Sequence, residues 1–253
     1  MTGSGQSMRV LATYSIKGGV GKTTSAVNLA YEAARAGARV IVWDLDPQAA
    51  ATYLLRAKAR VKGGADRLVG KKGELDSHIR STDFASISVV AADFSLRNLD
   101  VRLDDIKKPV ERFAALLEPI ADQYDVAVLD CPPSISLVSE SVFGAADALL
   151  VPTIPTPLSE RTLGQLADFL ADWKRPPMVL PFISMLDRRR AMQRETTIRL
   201  HADWPKMLAT HIPNASIIER MSSARGAVGE FAPTSPAAAA YRQLWAEISE
   251  RLW

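Results

Sequence analysis

The sequence predicts an α/β fold in which a mostly parallel, doubly wound sheet lies between two layers of helices. Apolar runs of strand length alternate with helical patterns from residue 9 to the C-terminus, as in sheets whose strands are joined by crossover helices. Runs such as 39–44 and 125–130 are nearly continuous in apolar residues, which is typical of strands covered on both faces. We expect one domain over residues 9–253, after an N-terminal tail, 1–8, that is disordered or was added for expression.

Composition excludes several classes of protein. Cys131 is the only cysteine in 253 residues, too few for a disulfide framework, a zinc knuckle or a cysteine-ligated cluster within one chain. The longest apolar candidate, 145–158, is interrupted by three prolines, so we expect no transmembrane helix. The N-terminus shows no signal-peptide pattern, and we expect a cytoplasmic protein. A net charge of +3 neither requires nor excludes nucleic acid or an anionic membrane as partner.

A glycine-rich turn joins the first predicted strand (9–15) to the first predicted helix (22–36, with Gly37 as its C-cap glycine). Glycines let successive N–H groups turn toward an anion, and the helix N-terminus adds partial positive charge. Lys22 is placed to reach the β- and γ-phosphates of a nucleotide, and the Thr23 hydroxyl to bind Mg²⁺. The context of strand, loop and helix predicts a three-layer P-loop NTPase.

The loop departs from the ordinary P-loop pattern at one position. Ile16 stands where the first glycine is expected, and an additional lysine, Lys17, precedes Gly18 and Gly19. The compact sequence KGGVGKTT is more specific than the loose P-loop pattern.

Acidic residues follow two of the predicted strands. Asp44 is the last residue of the strand at 39–44, and Asp46 follows two residues later. Asp130 is the last residue of the strand at 125–130. In open α/β sheets, ligands bind at the carboxyl ends of the strands. An aspartate at the end of an apolar strand has the Walker B form, which holds Mg²⁺, and the P-loop upstream strengthens that interpretation.

The remaining elements follow from periodicity and breakers. Basic residues 56–72 are interpreted as a solvated, mobile connection, and Pro181 places the strand at 178–185 at a sheet edge. Ser159 is expected to cap the helix at 159–173. The other predicted helices are 49–55, 109–124, a helix continuing through Arg199, and 237–253; the other predicted strands are 87–91, 148–152 and 207–212.

Three motifs together resemble the ParA/MinD family of deviant-Walker ATPases. They are KGGVGKTT at 17–24, DLDPQ at 44–48 and LDCPPS at 129–134, in the family's order and spacing. The stretch VPTIPTPLSERTLGQL at 151–166 and the segment 229–244 are also similar to ParA, so the resemblance covers nearly the whole chain from Met8.

The resemblance implies a Mg²⁺-dependent ATP hydrolase that forms an ATP-dependent homodimer, with weak intrinsic activity stimulated by a partner. Lys17 matches the lysine that crosses to the partner subunit's phosphates, Lys22 the P-loop lysine, and Asp46 the residue that orients the attacking water. The metal residues are Thr23, Asp44 and Asp130. The implied nucleotide-binding residues are Lys17, Gly18, Gly19, Val20, Gly21, Lys22, Thr23, Thr24, Pro213 and Asn214.

The adenine contacts are implied by the family rather than by a residue. Pro213 and Asn214 fall where the family lays its chain against adenine. Relatives often carry an asparagine before the basic run, whereas this chain has Ser184, followed by Met185. We still favour ATP.

ParA relatives bind DNA non-specifically through basic residues in the C-terminal half. Clustered arginines matter more for such binding than net charge, because affinity comes largely from counterion release. The alternative is an ordinary solvated helix start, although three arginines at a helix N-terminus oppose the helix dipole. The candidates are Arg188, Arg189, Arg190, Arg194, Arg199 and Arg220, with Arg225 behind them.

The function implied is that of a nucleoid-associated ATPase that segregates or positions a cargo, such as a plasmid, a chromosome locus or a protein cluster. Its expected partners are double-stranded DNA and a ParB-like or other activating protein. The alternative is a MinD-like ATPase that cycles on the membrane and governs division or flagellar placement. The final helix favours core packing over membrane binding, because its polar face lacks the basic residues that an anionic membrane attracts.

Overall fold

The computed structural model describes residues 7–70 and 72–253, in which seven strands form one sheet with helices on both faces. Their order across the sheet is β3-β4-β2-β5-β1-β6-β7, and every neighbouring pair is parallel except β3 with β4. The strands are β1 (Arg9–Thr13), β2 (Val40–Asp44), β3 (Ile79–Ser81), β4 (Ile87–Val90), β5 (Val126–Asp130), β6 (Ala148–Thr153) and β7 (Met178–Ile183). The predicted mostly parallel α/β fold is confirmed.

The helices cover the sheet on two sides. Among the described residues, short 3₁₀ helices also occur at 76–78, 94–98, 109–111 and 118–120. The α-helices are α1 (Lys22–Arg35), α2 (Ala50–Leu54), α3 (Gly64–Val69), α4 (Leu99–Asp104), α5 (Arg112–Leu117), α6 (Leu137–Ala145), α7 (Pro157–Ala171), α8 (Ala191–Asp203), α9 (Ser216–Glu219), α10 (Met221–Ala224), α11 (Val228–Phe231) and α12 (Pro236–Leu252).

Alternation along the strands creates two apolar cores. In β5, Val126 and Val128 face the core that contains α1 and α12. Ala127 and Leu129 face the opposite core, which contains residues of α3 to α8. Successive side chains of a strand point to opposite faces of the sheet, so a strand of continuous apolar sequence serves both layers.

The basic segment 56–72 is more ordered than predicted. Residues 64–69 form α3, whose apolar side chains are buried in the core. The main-chain N–H of Val61 donates to the Asp93 carboxylate at 2.6 Å. The prediction of a mobile connection is therefore wrong for this part of the segment, although Lys58, Arg60 and Lys62 are exposed. Lys71 lies outside the described residues.

The predicted strand at 207–212 is wrong. Leu208 forms only an isolated bridge with Phe182 of β7. The N–H groups of Ala209 and Thr210 instead donate to the Glu247 carboxylate at 2.6 and 3.0 Å. A side chain of α12 thus takes the Thr210 N–H, which would otherwise continue the ladder begun by Leu208. β7 therefore stays at the end of the sheet order, as Pro181 predicts.

Prolines shift two helix boundaries. α7 begins at Pro157 with Thr156 as its cap, so the predicted cap at Ser159 is wrong. Proline favours the first turn because its missing N–H would have no helical partner there. The predicted helix at 109–124 is shorter, since α5 gives way to a 3₁₀ turn that contains Pro119.

Residues 1–6 of the expected N-terminal tail lie outside the described residues. Met8 is buried beside β1 and belongs to the core.

Candidate active site

The loop between β1 and α1 has the backbone geometry of a phosphate cradle. Gly19 and Gly21 have φ of 70° and 93°, in the left-handed region that favours glycine. A Cβ at Gly21 would also lie 3.1 Å from the Ser184 hydroxyl oxygen. Gly21 caps α1, so the loop delivers its N–H groups to the N-terminus of a 14-residue helix.

The Ser184 hydroxyl, which is not part of the phosphate loop, holds that loop through a hydrogen bond. This residue follows β7, is 2% exposed, and donates a hydrogen bond of 2.8 Å to the Val20 carbonyl. The position that differs from the family's asparagine is thus bonded to the phosphate loop. The sequence marked Ser184 only as a departure.

Lys22 points back into its own loop. Its Nζ donates to the main-chain carbonyl of Lys17 at 3.1 Å, and the residue is 7% exposed. Burial lowers the pKa of Lys22, while the charge of Asp130 opposes that change. A cation held in this way can bind phosphate oxygens at low desolvation cost. Lys17 itself is partly exposed.

Asp44 is fully buried at the end of β2 and is held by Thr52 of α2. The Thr52 N–H and hydroxyl donate to Asp44 Oδ2 at 2.8 and 2.7 Å, and the Asp46 N–H donates to Oδ1 at 3.2 Å. Burial raises the pKa of Asp44 to about 6, and the Thr52 hydrogen bonds oppose the rise. No sequence motif indicated Thr52.

Asp130 lies level with Asp44 in the sheet. The two residues are register partners between β5 and β2, and Asp130 Oδ1 accepts a hydrogen bond of 3.2 Å from the Thr13 hydroxyl. Burial and the neighbouring Asp44 raise the pKa of Asp130 to about 8, against hydrogen bonds from Thr23 and Thr13.

These carboxylates fit a divalent cation. Asp130 Oδ2 is buried and has no hydrogen bond of ordinary geometry with any described residue. Two buried acidic groups side by side disfavour each other's charged form, and an oxygen-binding cation would compensate both. Thr23, partly exposed at the start of α1, adds a hydroxyl oxygen of the kind that Mg²⁺ binds. Asp46 is partly exposed, unlike the buried Asp44 and Asp130, and its Oδ1 accepts a hydrogen bond of 2.9 Å from the Gln48 N–H.

Pro213 and Asn214 reach the other end of the loop. They share a small cleft with Gly21 and Thr24, so the structure brings together all the predicted nucleotide-contacting segments. Seven further residues line the cleft, and the sequence had connected only the first two of them with the base: Ser184, Met185, Ile212, Ala215, Ile218, Glu219 and Tyr241. Tyr241 lies on α12, which reaches the cleft only through tertiary packing.

The predicted DNA-binding arginines differ in their contacts. Arg189 and Arg190 contact the Asp187 carboxylate at 2.9 and 3.5 Å, and Arg199 contacts Glu160 at 3.1 Å. The guanidinium of Arg194 donates to the Arg188 carbonyl.

Arg220 lies apart from that run, in a later segment, where its guanidinium is 6.0 Å from the centre of the Phe231 ring. Arg225 similarly covers the Tyr53 ring at 4.5 Å.

The last helix packs onto the core. Tyr241, Leu244, Trp245 and Ile248 of α12 are buried, which confirms the expected packing, whereas Trp253 is 46% exposed. Over residues 7–70 and 72–253, no helix has the length and apolar content needed to span a bilayer. Cys131 is buried behind Asp130.

Comparison with known proteins identifies relatives of the whole chain. A family model described as an AAA domain matches residues 8–176. The chromosome-partitioning ATPase Soj of Thermus thermophilus is 31% identical over 252 residues, covering 97% of both chains.

Two solved structures are also similar. A putative plasmid partition protein of Borrelia burgdorferi bound to AMPPNP has a TM-score of 0.84 at 19% identity, covering 97% of this chain and 100% of that one. Cobyrinic acid a,c-diamide synthase of Mycobacterium smegmatis, with a bound ATP analogue and magnesium, has a TM-score of 0.81 at 25% identity, covering 96% and 95%. The likeness to the Borrelia protein, at 19% identity, shows the fold alone. The 31% identity to Soj over nearly the whole chain also shows the family. With KGGVGKTT at the loop and the buried aspartates beside it, the chain belongs to the ParA/MinD family of P-loop ATPases, on its ParA-like branch.

Proposed function

We propose that the chain is a ParA-type ATPase that forms an ATP-sandwich dimer, binds DNA non-specifically, and segregates or positions a cargo when a partner stimulates hydrolysis. The observation that carries this proposal is the position of Lys17. It lies at the mouth of the phosphate loop, partly exposed, and is in no ion pair with a described residue. A cation in that position can reach a second subunit.

ATP and Mg²⁺ are the proposed cofactors. Lys22 and the N–H groups of the loop would bind the phosphates, while Thr23, Asp44 and Asp130 would hold the metal. The cation would neutralise charge on the phosphate oxygens. The cleft formed with Pro213 and Asn214 would take the base.

Lys17 and Asp46 have different proposed roles in hydrolysis. Lys17 would place its charge on the partner subunit's phosphates, where negative charge develops as the γ-phosphoryl group is transferred. Asp46 would orient the attacking water, which its more open position and free Oδ2 permit. Lys22 itself donates its hydrogen bond within the loop, to the Lys17 carbonyl.

DNA would bind to the basic surface that begins after β7. Arg188, Arg189, Arg190 and Arg194 are exposed and adjacent in sequence. This surface would place the protein on the nucleoid within the cytoplasm. A ParB-like or other adaptor protein would connect the ATPase to its cargo.

The test is binding to random-sequence duplex DNA with and without ATP. We expect salt-sensitive binding that requires ATP and weakens on Arg189→Glu, because charge reversal adds repulsion at the phosphate backbone. Arg175→Glu is the matched control, since Arg175 is also exposed but precedes β7, at the opposite end of this strand from the arginine run. Equal binding by both variants, or no DNA binding by the unmodified protein, would contradict the proposal.

The MinD-like alternative remains a distinct outcome of the same experiment. ATP-dependent binding to anionic liposomes, with no binding to DNA, would support it. The burial of one face of α12 argues against a membrane role for that helix, and the exposed Trp253 is the observation that favours one.

A further inference from the structure

A solvent-open groove of about 590 Å³ lies beside the arginine run and outside the phosphate loop. Three segments form it: residues after β7, the stretch 209–213, and the first turns of α12. It shares only Pro213 with the cleft proposed for the base. The small side chains of Ala239 and Ala240 leave its floor open.

The groove contains the one member of the arginine triplet that is not neutralised. Arg189 and Arg190 contact Asp187, at 2.9 and 3.5 Å. Arg188 is exposed, lines the groove, and lies within 4.0 Å of no carboxylate among residues 7–70 and 72–253. Its charge is therefore available to an external anion.

Polar groups that can donate hydrogen bonds complete the lining. Gln243 presents a side-chain amide from α12, and His211 presents an imidazole from the facing segment. The Nε2 atoms of His211 and His201 are 2.9 Å apart, so one ring of the pair donates to the other. When His201 is the donor, the neutral His211 ring carries its own proton on Nδ1, which can donate to a ligand.

The two acidic groups near the groove, Asp187 and Glu247, both have other partners, and Asp187 contacts Arg189 and Arg190. The Glu247 carboxylate accepts the N–H groups of Ala209 and Thr210, and its other charged contact is with Arg251 at 3.8 Å. The groove is thus lined by one unpaired cation and neutral donors. Guanidinium and side-chain amide groups are typical contacts of DNA phosphates, and the imidazole adds a further N–H.

We propose that this groove seats one phosphodiester group of bound DNA, with Arg188 pairing its charge and Gln243 and His211 donating hydrogen bonds. This inference rests on the proposed DNA-binding function and gives it a defined contact. It also makes the arginines unequal: Arg188 binds directly, whereas Arg189 and Arg190 first have to leave Asp187.

The test measures the affinity of the full-length protein for a random 24-base-pair duplex as salt is varied, with ATP analogue and Mg²⁺ present. Removing one phosphate contact lowers the slope of log affinity against log salt by about 0.9. We expect that loss for Arg188→Gln, with affinity reduced about 5- to 10-fold near 0.1 M salt. Gln243→Leu should weaken binding without changing the slope, because the amide is uncharged. Arg175→Gln, the control, should change neither the affinity for DNA nor the slope of its salt dependence.

Three results would overturn the proposal. If Arg188→Gln and Gln243→Leu both bind DNA like the unmodified protein, the groove is not a DNA contact, although the proposed function stands. If Arg188→Gln loses binding to poly-glutamate but keeps its DNA affinity, the groove takes an acidic protein segment instead. If the unmodified protein binds no DNA in any nucleotide state, the groove assignment and the proposed function both fail. Circular dichroism melts of each variant exclude misfolding as the cause.

Discussion

The ammonium group of Lys22 donates a hydrogen bond of 3.1 Å to the main-chain carbonyl of Lys17. The two lysines of the phosphate loop are therefore connected through the side chain of one and the backbone of the other. Substitution of the Lys17 side chain leaves the carbonyl in place. The two proposed roles, phosphate binding within the subunit and contact with the partner subunit, can thus be separated by mutation.

Lys17→Ala should abolish ATP-dependent dimerisation and stimulated hydrolysis while preserving nucleotide binding by the monomer. Sedimentation with ATP measures the first and fluorescent-nucleotide titration the second. Lys22→Ala is the comparison, because it should lose nucleotide binding itself. A Lys17→Ala protein that dimerises and responds to its partner normally would exclude the role in trans.

Asp46→Ala should slow hydrolysis about 100-fold or more, the usual contribution of a positioned acid–base group, and leave a persistent ATP dimer. The two measurements are phosphate release and size-exclusion chromatography with ATP. Normal turnover would remove Asp46 from the proposed water-orienting role.

Ser184→Ala should weaken nucleotide binding, since it removes the hydroxyl that holds the Val20 carbonyl of the loop. A neutral hydrogen bond contributes about 1 kcal/mol, so we expect roughly a fivefold higher dissociation constant. Ser222→Ala, at an exposed hydroxyl far along the chain, should leave affinity unchanged. An unaltered constant for Ser184→Ala would show that the bond does not shape the cradle.

Thr210→Val should stabilise the protein. The Thr210 hydroxyl is buried without a hydrogen-bond partner among the described residues, and such a group costs about 1 kcal/mol or more. For a chain of this size we expect the melting temperature to rise by about 2–4 °C. Thr153→Val removes a buried hydroxyl that donates to Val151 at 3.0 Å and should lower it. A fall with Thr210→Val would contradict the assignment.

The His201–His211 pair should make the free energy of unfolding depend on acid pH. Burial lowers the pKa of His211, and the positive charges of His201 and Arg188 lower it further, against Glu247. The unfolded chain takes up a proton near pH 6.5, whereas the folded chain resists it. Stability is therefore lost as pH falls below about 6.5.

His211→Gln should remove part of that dependence, leaving a flatter stability profile between pH 5 and 7 in urea melts. Above about pH 7, where the imidazole is neutral in both states, this titration contributes nothing to the difference between the two proteins. Parallel profiles across the whole range would contradict this prediction.

Local patterns predicted the phosphate loop, the acidic strand ends and the parallel sheet, because each depends on a short run of sequence. The sequence did not predict β3, α4 or α6, which are short and depend on their neighbours. The strand predicted at 207–212 does not form, because the Glu247 carboxylate, 37 residues after Thr210, accepts the N–H groups of Ala209 and Thr210. No local pattern reports such a competitor.

The same limit applies to the site. Asp44 could be found from its place after a strand, but Thr52, which donates twice to it, belongs to a helix without a motif. The arginine run was visible in the sequence, whereas the pairing of two members with Asp187 required side-chain positions. Sequence thus indicates which groups are present, and packing decides which are free.

Ser184 and Arg188 are only four residues apart, although one is bonded to the phosphate loop and the other lines the groove. A fully extended chain of that length spans at most about 14 Å. A displacement of the Val20 carbonyl would therefore be transmitted through Ser184 and the short segment after it to Arg188. By this route, a change of bound nucleotide would alter the position of Arg188 within one subunit, separately from any effect of dimerisation.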